Sequence, residues 1–407
     1  MAKLDSKVDI SPILESIERT RKINNDGTVS FTGFDFGETS TALSSFITFD
    51  SEIPKAQKNH IVTQTVFRAA RQNAISRQRF LKSLNQEEKN YINKPLTDFY
   101  LLSSLSLGWR PEFRRVYSGR QIITFSEEYP KGFPRDELDI DRAIAKKEEA
   151  TTGFSRIRIK VKSRCEYGAF EKASDHIDYI RGIWNWRLSP QQRMSSGLAR
   201  PINSVCLGPL HTIHFSNGQP VKPNYWYEPG YPEYSNVKNL DLERTQNLLK
   251  FTKRVKESVN SSRYSDSLIE VFIRLARALD STDFESSFLK VWNIIEYLTG
   301  TTGDGYDETI KRVSFMYQER KYHRQILEHL RRQRNSSVHH SEFGTSGQNT
   351  LFQAKFYALA LLEFHLFNPF RFDTLKDGGD FLSTTTDKES LRLKIRKMQF
   401  GLKYLGG

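Results

Sequence analysis

The stretch LEHLRRQRNSSVHHSEFG, residues 327–344, brings together an always-charged guanidinium, a side-chain amide and an imidazole that titrates near neutrality. These are Arg334, Asn335 and His339, types that can hold an anion and move a proton. His340 is the close alternative to His339. Spacing by itself carries little weight, because Arg324 and His329 in RQILEH are equally far apart within an ordinary helical pattern. Context separates the two. Arg334 is followed directly by Asn335, then by two serines expected to loosen the helix and bring His339 alongside, then by a Gly/Ser-bearing loop and an apolar helix. If the helix continues, Leu327, Leu330, Arg334 and Val338 share its core-facing stripe, where an unpaired charge is costly. Such an arginine calls for a carboxylate partner, for which Glu296 is the candidate, or for an anionic ligand.

The segment SRIRIKVKSR, residues 155–164, alternates strictly between apolar and basic residues. As a strand it presents Ile157, Ile159 and Val161 on one face and Arg156, Arg158, Lys160 and Lys162 on the other, at about 6.6 Å between same-face neighbours. That spacing is close to the phosphate repeat of a nucleic-acid strand and makes the row a candidate RNA-binding surface; a solvated outer face has the same pattern. Metal chemistry has no comparable support. His211 and His214 in HTIH point to opposite faces of a strand and cannot share an ion. The loop GTTGDG, 300–305, follows a helix and lacks the Gly-Lys-Ser/Thr ending of a phosphate-cradling loop. Cys206 has the marks of a core thiol, and no cofactor is expected.

The elements that must position these residues divide at NGQPVKPNYWYEPGYPEYSN, 217–236, a proline- and tyrosine-rich stretch expected to be a linker or wrapped loop. Before it the pattern is mixed. A basic helix is expected within 61–84, strands at 120–125 and 204–215, and an amphipathic helix over 168–186 with Phe170, Ala173, Ile177, Ile180 and Trp184 on one stripe. After it the periods are helical. Stripes run through Leu248, Phe251, Val255 and Val259, and through Leu268, Phe272, Leu275 and Leu279. A third helix, opened by a Thr282/Glu285 capping box and stopped by Gly300, carries Phe284, Phe288, Trp292, Ile295 and Leu298. Residues 307–334 give one long or two short helices, 349–367 a central one, and a Thr386/Glu389 box opens a basic tail helix. The expected fold is α+β, a mixed α/β unit (1–235), a helical bundle (236–370) and an extension (371–407).

The 407 residues carry a net charge of +13, which attracts polyanions such as nucleic acid. The two cysteines are too few for a disulfide framework. No run approaches the 18 or more apolar residues of a membrane span, and MAKLDSKVD does not resemble a signal peptide, so a cytoplasmic location is expected.

Residues 240–368 together resemble a HEPN domain, most closely the ApeA-like branch of bacterial defence proteins: FLKVWNIIEYLTG precedes the Arg-polar…His signature, here RNSSVH, and an apolar helix closes the unit. The resemblance implies a metal-independent endoribonuclease acting as a homodimer, with two copies of the motif in one cleft. In that reading an RNA 2′-hydroxyl attacks its own phosphate, a histidine exchanges protons with the attacking or leaving oxygen, and the arginine fork stabilises charge on the phosphorane. Asn335 orients phosphate or histidine. The implied role is a toxin-like or anti-phage effector whose first 235 residues sense a trigger or grip RNA, with a partner protein as a possible regulator. HEPN toxins silenced by adenylylation carry Tyr two residues after the histidine; here that residue is Ser341. The alternatives are a non-catalytic RNA- or nucleotide-binding HEPN module, used as a sensor or adaptor, and a helical scaffold for an acidic protein.

Overall fold

The computed structural model describes residues 2–26, 28–31, 35–49, 53–72, 75–191, 200–228, 237–303, 306–340 and 347–405, without the side chains of 35–38, 72, 306 and 337–340. The fold is α+β. Helices α1 (Ser11–Thr20), α2 (Asp35–Ser45), α3 (Lys55–Gln72) and α4 (Arg77–Ile92) build the first part. Two short ladders accompany them, β1 (Lys3–Leu4) with β4 (Ile47–Thr48) and β2 (Arg21–Ile23) with β3 (Val29–Phe31). The basic helix expected within 61–84 is therefore two helices. Ser76 starts the second by accepting from the backbone N–H of Arg79, which an unbroken helix would not allow.

A six-stranded antiparallel sheet comes next, made of β5 (Thr97–Leu105), β6 (Arg115–Ser118), β7 (Gln121–Ser126), β8 (Ser155–Ser163), β9 (Leu210–Phe215) and β10 (Pro220–Tyr227). Its order is β10-β9-β5-β8-β7-β6. Helix α5 (Arg142–Glu149) lies between β7 and β8 in the chain. Part of the expected linker at 217–236 is thus a strand; residues 229–236 lie outside the described residues. Pro220 and Pro223 cannot donate ladder bonds, so the strand sits at the sheet edge with its register interrupted between Pro220 and Tyr225. The strand expected over 204–215 begins only at Leu210.

Helix α6 (Glu166–Leu188) joins the sheet to the helical bundle. It packs on β8 and β5 with one side and on α8 (Ser265–Ala278) with the other. The expected amphipathic helix is consequently buried all round from Ile177 to Asn185, because a second layer covers the face that would otherwise meet water. Trp184 contacts Phe113 and Phe125 and donates its indole N–H to Thr252 of α7 (Leu242–Ser261). A Cβ added at Gly182 would lie 2.4 Å from the Phe272 carbonyl oxygen, so the missing side chain permits this approach of α6 to α8.

The bundle continues with α9 (Phe284–Thr299), α10 (Tyr306–Phe315), α11 (Arg320–His340), α12 (Gly347–Phe367) and α13 (Leu375–Leu382), and the chain ends in α14 (Lys388–Tyr404). Two expected caps shift by one residue. Asp283 accepts from the N–H groups of Glu285 and Ser286, and Asp387 from that of Ser390. Thr282 and Thr386 are displaced because a carboxylate is the stronger acceptor at the positive end of a helix. Gly300 closes α9 at φ 67°, as expected. Among the described residues a capping box forms at Thr374 with Asp377, at the start of α13.

One apolar core runs from Phe99 to Leu382 through sheet and bundle, and a second holds residues 2–91 together with Cys165. The boundary expected at 235 therefore does not separate two cores; the break between cores falls between Tyr91 and Phe99.

His365 ties α12 to its neighbours. Nε2–H donates to the Leu298 carbonyl at 2.7 Å, and Nδ1 accepts from the Tyr264 hydroxyl at 2.9 Å, a pattern that needs the neutral ring. Burial pushes its pKa down from the usual histidine value to about 4. The unfolded chain thus takes up this proton from about pH 6.5 downward while the native state resists until about 4, and stability falls across that window. The full loss is on the order of 3 kcal/mol. Urea midpoints at pH 7 and 5 should fall more in the wild-type protein than in His365→Gln; equal slopes would rule out this assignment.

Candidate functional site

Leu327 and Leu330 are fully buried and fix α11 against the bundle, where it packs on α9 and α10. Arg334 and Asn335, one turn on, are half-buried, whereas Arg324 and His329 of the control spacing are exposed. Environment thus separates Arg334 from Arg324, which spacing cannot. Helix α11 runs without interruption to His340, so Asn335-Ser336-Ser337 does not break it as expected. Each of these residues costs roughly 0.5 kcal/mol in helix propensity, an amount that packing of the preceding turns outweighs. In the continuous helix, position 339 comes one turn after 335, and it stands five residues and about 7.5 Å of axial rise from 334. The side chains of His339 and His340 lie outside the described residues, as does Ser341. Glu296, half-buried on α9, accepts the Trp292 indole N–H at 2.6 Å.

The basic face of β8 has the expected alternation, with Ile157, Ile159 and Val161 buried, yet its cations do not form one open row. Arg156 donates to Thr151 and lies 3.6 Å from Glu148, and its guanidinium is over the Tyr129 ring. Arg158 lies over Phe133 and Tyr100. Lys160 pairs with Asp98 at 2.8 Å, and that contact raises its pKa. Lys162 is exposed. The residues between β7 and β8 cover half of the row, a long-range contact that alternation cannot reveal.

His211 and His214 are buried on opposite sides of the sheet. His211 Nδ1 is 2.7 Å from Ser103 Oγ and its ring lies beside Phe170 of α6. His214 donates from Nδ1 to the Gly218 carbonyl and accepts at Nε2 from Thr212, and burial lowers its pKa. Among the described residues no three His, Cys, Asp or Glu side chains gather in a metal-holding arrangement. Burial pushes the Cys206 thiol up, so it stays protonated.

A larger feature escapes the sequence reading. Beside α6 and α8 lies a cleft of about 740 Å³ whose floor is an ion network. Arg181, with no exposed surface, donates to Asp178, to both oxygens of Asp280 and to the Val205 carbonyl, at 2.6–3.2 Å. Asp178 also accepts from Arg277, which reaches Asp175 as well. Asn203 donates to Asp280 at 2.7 Å. Burial raises the Asp175 carboxyl even with Arg277 beside it. Glu228, 3.7 Å from His211 Nε2, is held below the usual carboxylate range chiefly by that imidazole. Since Arg181 spends its donors on protein acceptors, the network is a joint between sheet and bundle rather than an anion receptor. The signal for it was an Asp-Arg pair three residues apart among Ile177, Ile180, Ile183 and Trp184.

No helix among the described residues is long and apolar enough to cross a membrane. No protein-family model, curated protein or solved structure matches this chain.

Proposed function

We propose that the protein is a metal-independent endoribonuclease of the HEPN type, with Arg334, Asn335 and His339 as its reacting set and RNA as its substrate. The observation that carries this reading is α11 itself: a helix pinned by Leu327 and Leu330 holds a half-buried arginine, an asparagine and two histidines within its last two turns. The guanidinium stabilises charge building on the phosphorane oxygens, and the imidazole takes the 2′-hydroxyl proton or returns one to the leaving oxygen. One copy has difficulty doing both, so two copies meeting in a homodimer complete the acid and base. The first part of the chain then serves as sensor or RNA grip for a cytoplasmic anti-phage or toxin-like effector, itself open to control by a partner protein.

Purified protein incubated with total RNA in EDTA should yield fragments ending in 2′,3′-cyclic phosphate. Salt-sensitive RNA binding with no cleavage of any pool would reject catalysis and leave a binding module.

A further inference from the structure

Helix α14 has no buried residue. Together with its C-cap it exposes Leu391, Leu393, Ile395, Met398, Phe400, Leu402, Tyr404 and Leu405, of which Met398 is 71% exposed and Leu402 57%. Soluble proteins rarely leave so many large apolar side chains in one patch unless something covers them. Five of these residues form one row, Leu391, Ile395, Met398, Leu402 and Leu405, at intervals of four, three, four and three. That 3.5-residue repeat is the seam of a left-handed coiled coil.

We propose that this row is half of a parallel two-stranded coiled coil completed by α14 of a second copy of the chain, and that it supplies the association on which the two-copy cleft proposed above rests. The seam places Ile395 and Leu402 at a positions and Leu391, Met398 and Leu405 at d positions. Ile395 at a beside Leu391 at d is the β-branched and leucine combination that favours two strands, and Met398 and Leu402 extend the apolar seam. Lys388 falls at the preceding a position, the single polar residue that fixes register and opposes larger assemblies. The flanking positions agree. In register, Arg392 meets Asp387 of the partner subunit and Lys394 meets the partner's Gln399, so no like charges face each other. Arg396, Lys397 and Lys403 stand outside the seam, at b and c positions, where water solvates them.

The distribution of the remaining apolar residues argues against a lipid surface as the occupant. Leu393, Phe400 and Tyr404 lie on the side opposite the seam, with the last two rings edge to face at 5.2 Å. A helix lying on lipid confines its apolar residues to one face. The seam is only about 21 Å long, two heptads and a fraction, so the dimer is reversible and its population depends on concentration.

Sedimentation equilibrium of the full chain reads mass directly, and so independently of any RNA cleavage. The expected mass is twice the 47.3 kDa of one chain at tens of micromolar, declining on dilution. Ile395→Glu with Leu402→Glu should give the single-chain mass, while Leu393→Glu with Phe400→Glu on the far side should leave the dimer intact. As α14 supports no core, far-UV circular dichroism should show both variants folded. A single-chain mass for the wild type at every concentration, or a dimer that survives the seam variant, would overturn the proposal. A monomeric wild type that binds vesicles rich in anionic lipid would assign α14 to a membrane surface instead.

Discussion

Cleavage of RNA by the purified chain is expected to fall about a thousandfold in Arg334→Ala and by a similar factor in His339→Ala, with unfolding midpoints unchanged. Both residues lie in the last two turns of α11, beyond the core contacts of Leu327 and Leu330, and unfolding midpoints measured beside the rates separate lost chemistry from lost fold. Arg334→Lys should recover little. A lysine keeps the charge but not the planar fork that holds two phosphate oxygens at once. Asn335→Ala, which removes an orienting group, should cost roughly tenfold, and His340→Ala should leave the rate within about threefold. Gel-resolved single-turnover rates with EDTA present would measure all of these variants. Retained cleavage in both Arg334→Ala and His339→Ala would place the reaction elsewhere. The reverse order, a large loss in His340→Ala and a small one in His339→Ala, would keep the helix and move the proton shuttle one residue on.

Legibility in the sequence tracks the range of the forces involved. Apolar periodicity placed α7, α8, α9 and α12, since each buries one face or all of itself and the residues that do so recur at helical spacing. It also placed β8, whose strict alternation matches the pleat. Where local signals competed, the reading slipped by a residue: Asp283 and Asp387, rather than the threonines before them, cap their helices. Features that depend on distant segments stayed hidden. The burial of α6 on both sides requires α8, 99 residues beyond in the Arg181–Asp280 contact, and the shielding of Arg156 and Arg158 requires the 127–150 segment. For the motif itself, spacing was uninformative; the contrast in exposure between Arg324 and Arg334 discriminates, and it arises only once α11 has packed.

Arg181→Lys should destabilise the protein by about 2–3 kcal/mol although it conserves the charge, and Arg181→Met by about 3–5 kcal/mol. The guanidinium divides its donors among Asp178, Asp280 and the Val205 carbonyl. An ammonium group has three donors and cannot span the two carboxylates with the same bidentate geometry. Methionine leaves Asp178, which is almost wholly buried, with Arg277 alone, and Asp280 with Asn203. The loss should be cooperative, because Arg181 and Asp178 are on α6, Asp280 comes just after α8, and Val205 lies on the way to β9, so the arginine links α6 both to the bundle and to the segment that leads into the sheet. Urea denaturation of the single variants and of Arg181→Met with Asp280→Asn would test this. A coupling energy above about 1 kcal/mol between the two positions is expected, with the double variant less damaged than the sum of its parts. A lysine variant as stable as the wild type would show that the joint depends on charge alone. Sheet and bundle would then be held by the apolar packing of α6 on α8 rather than by the arginine fork.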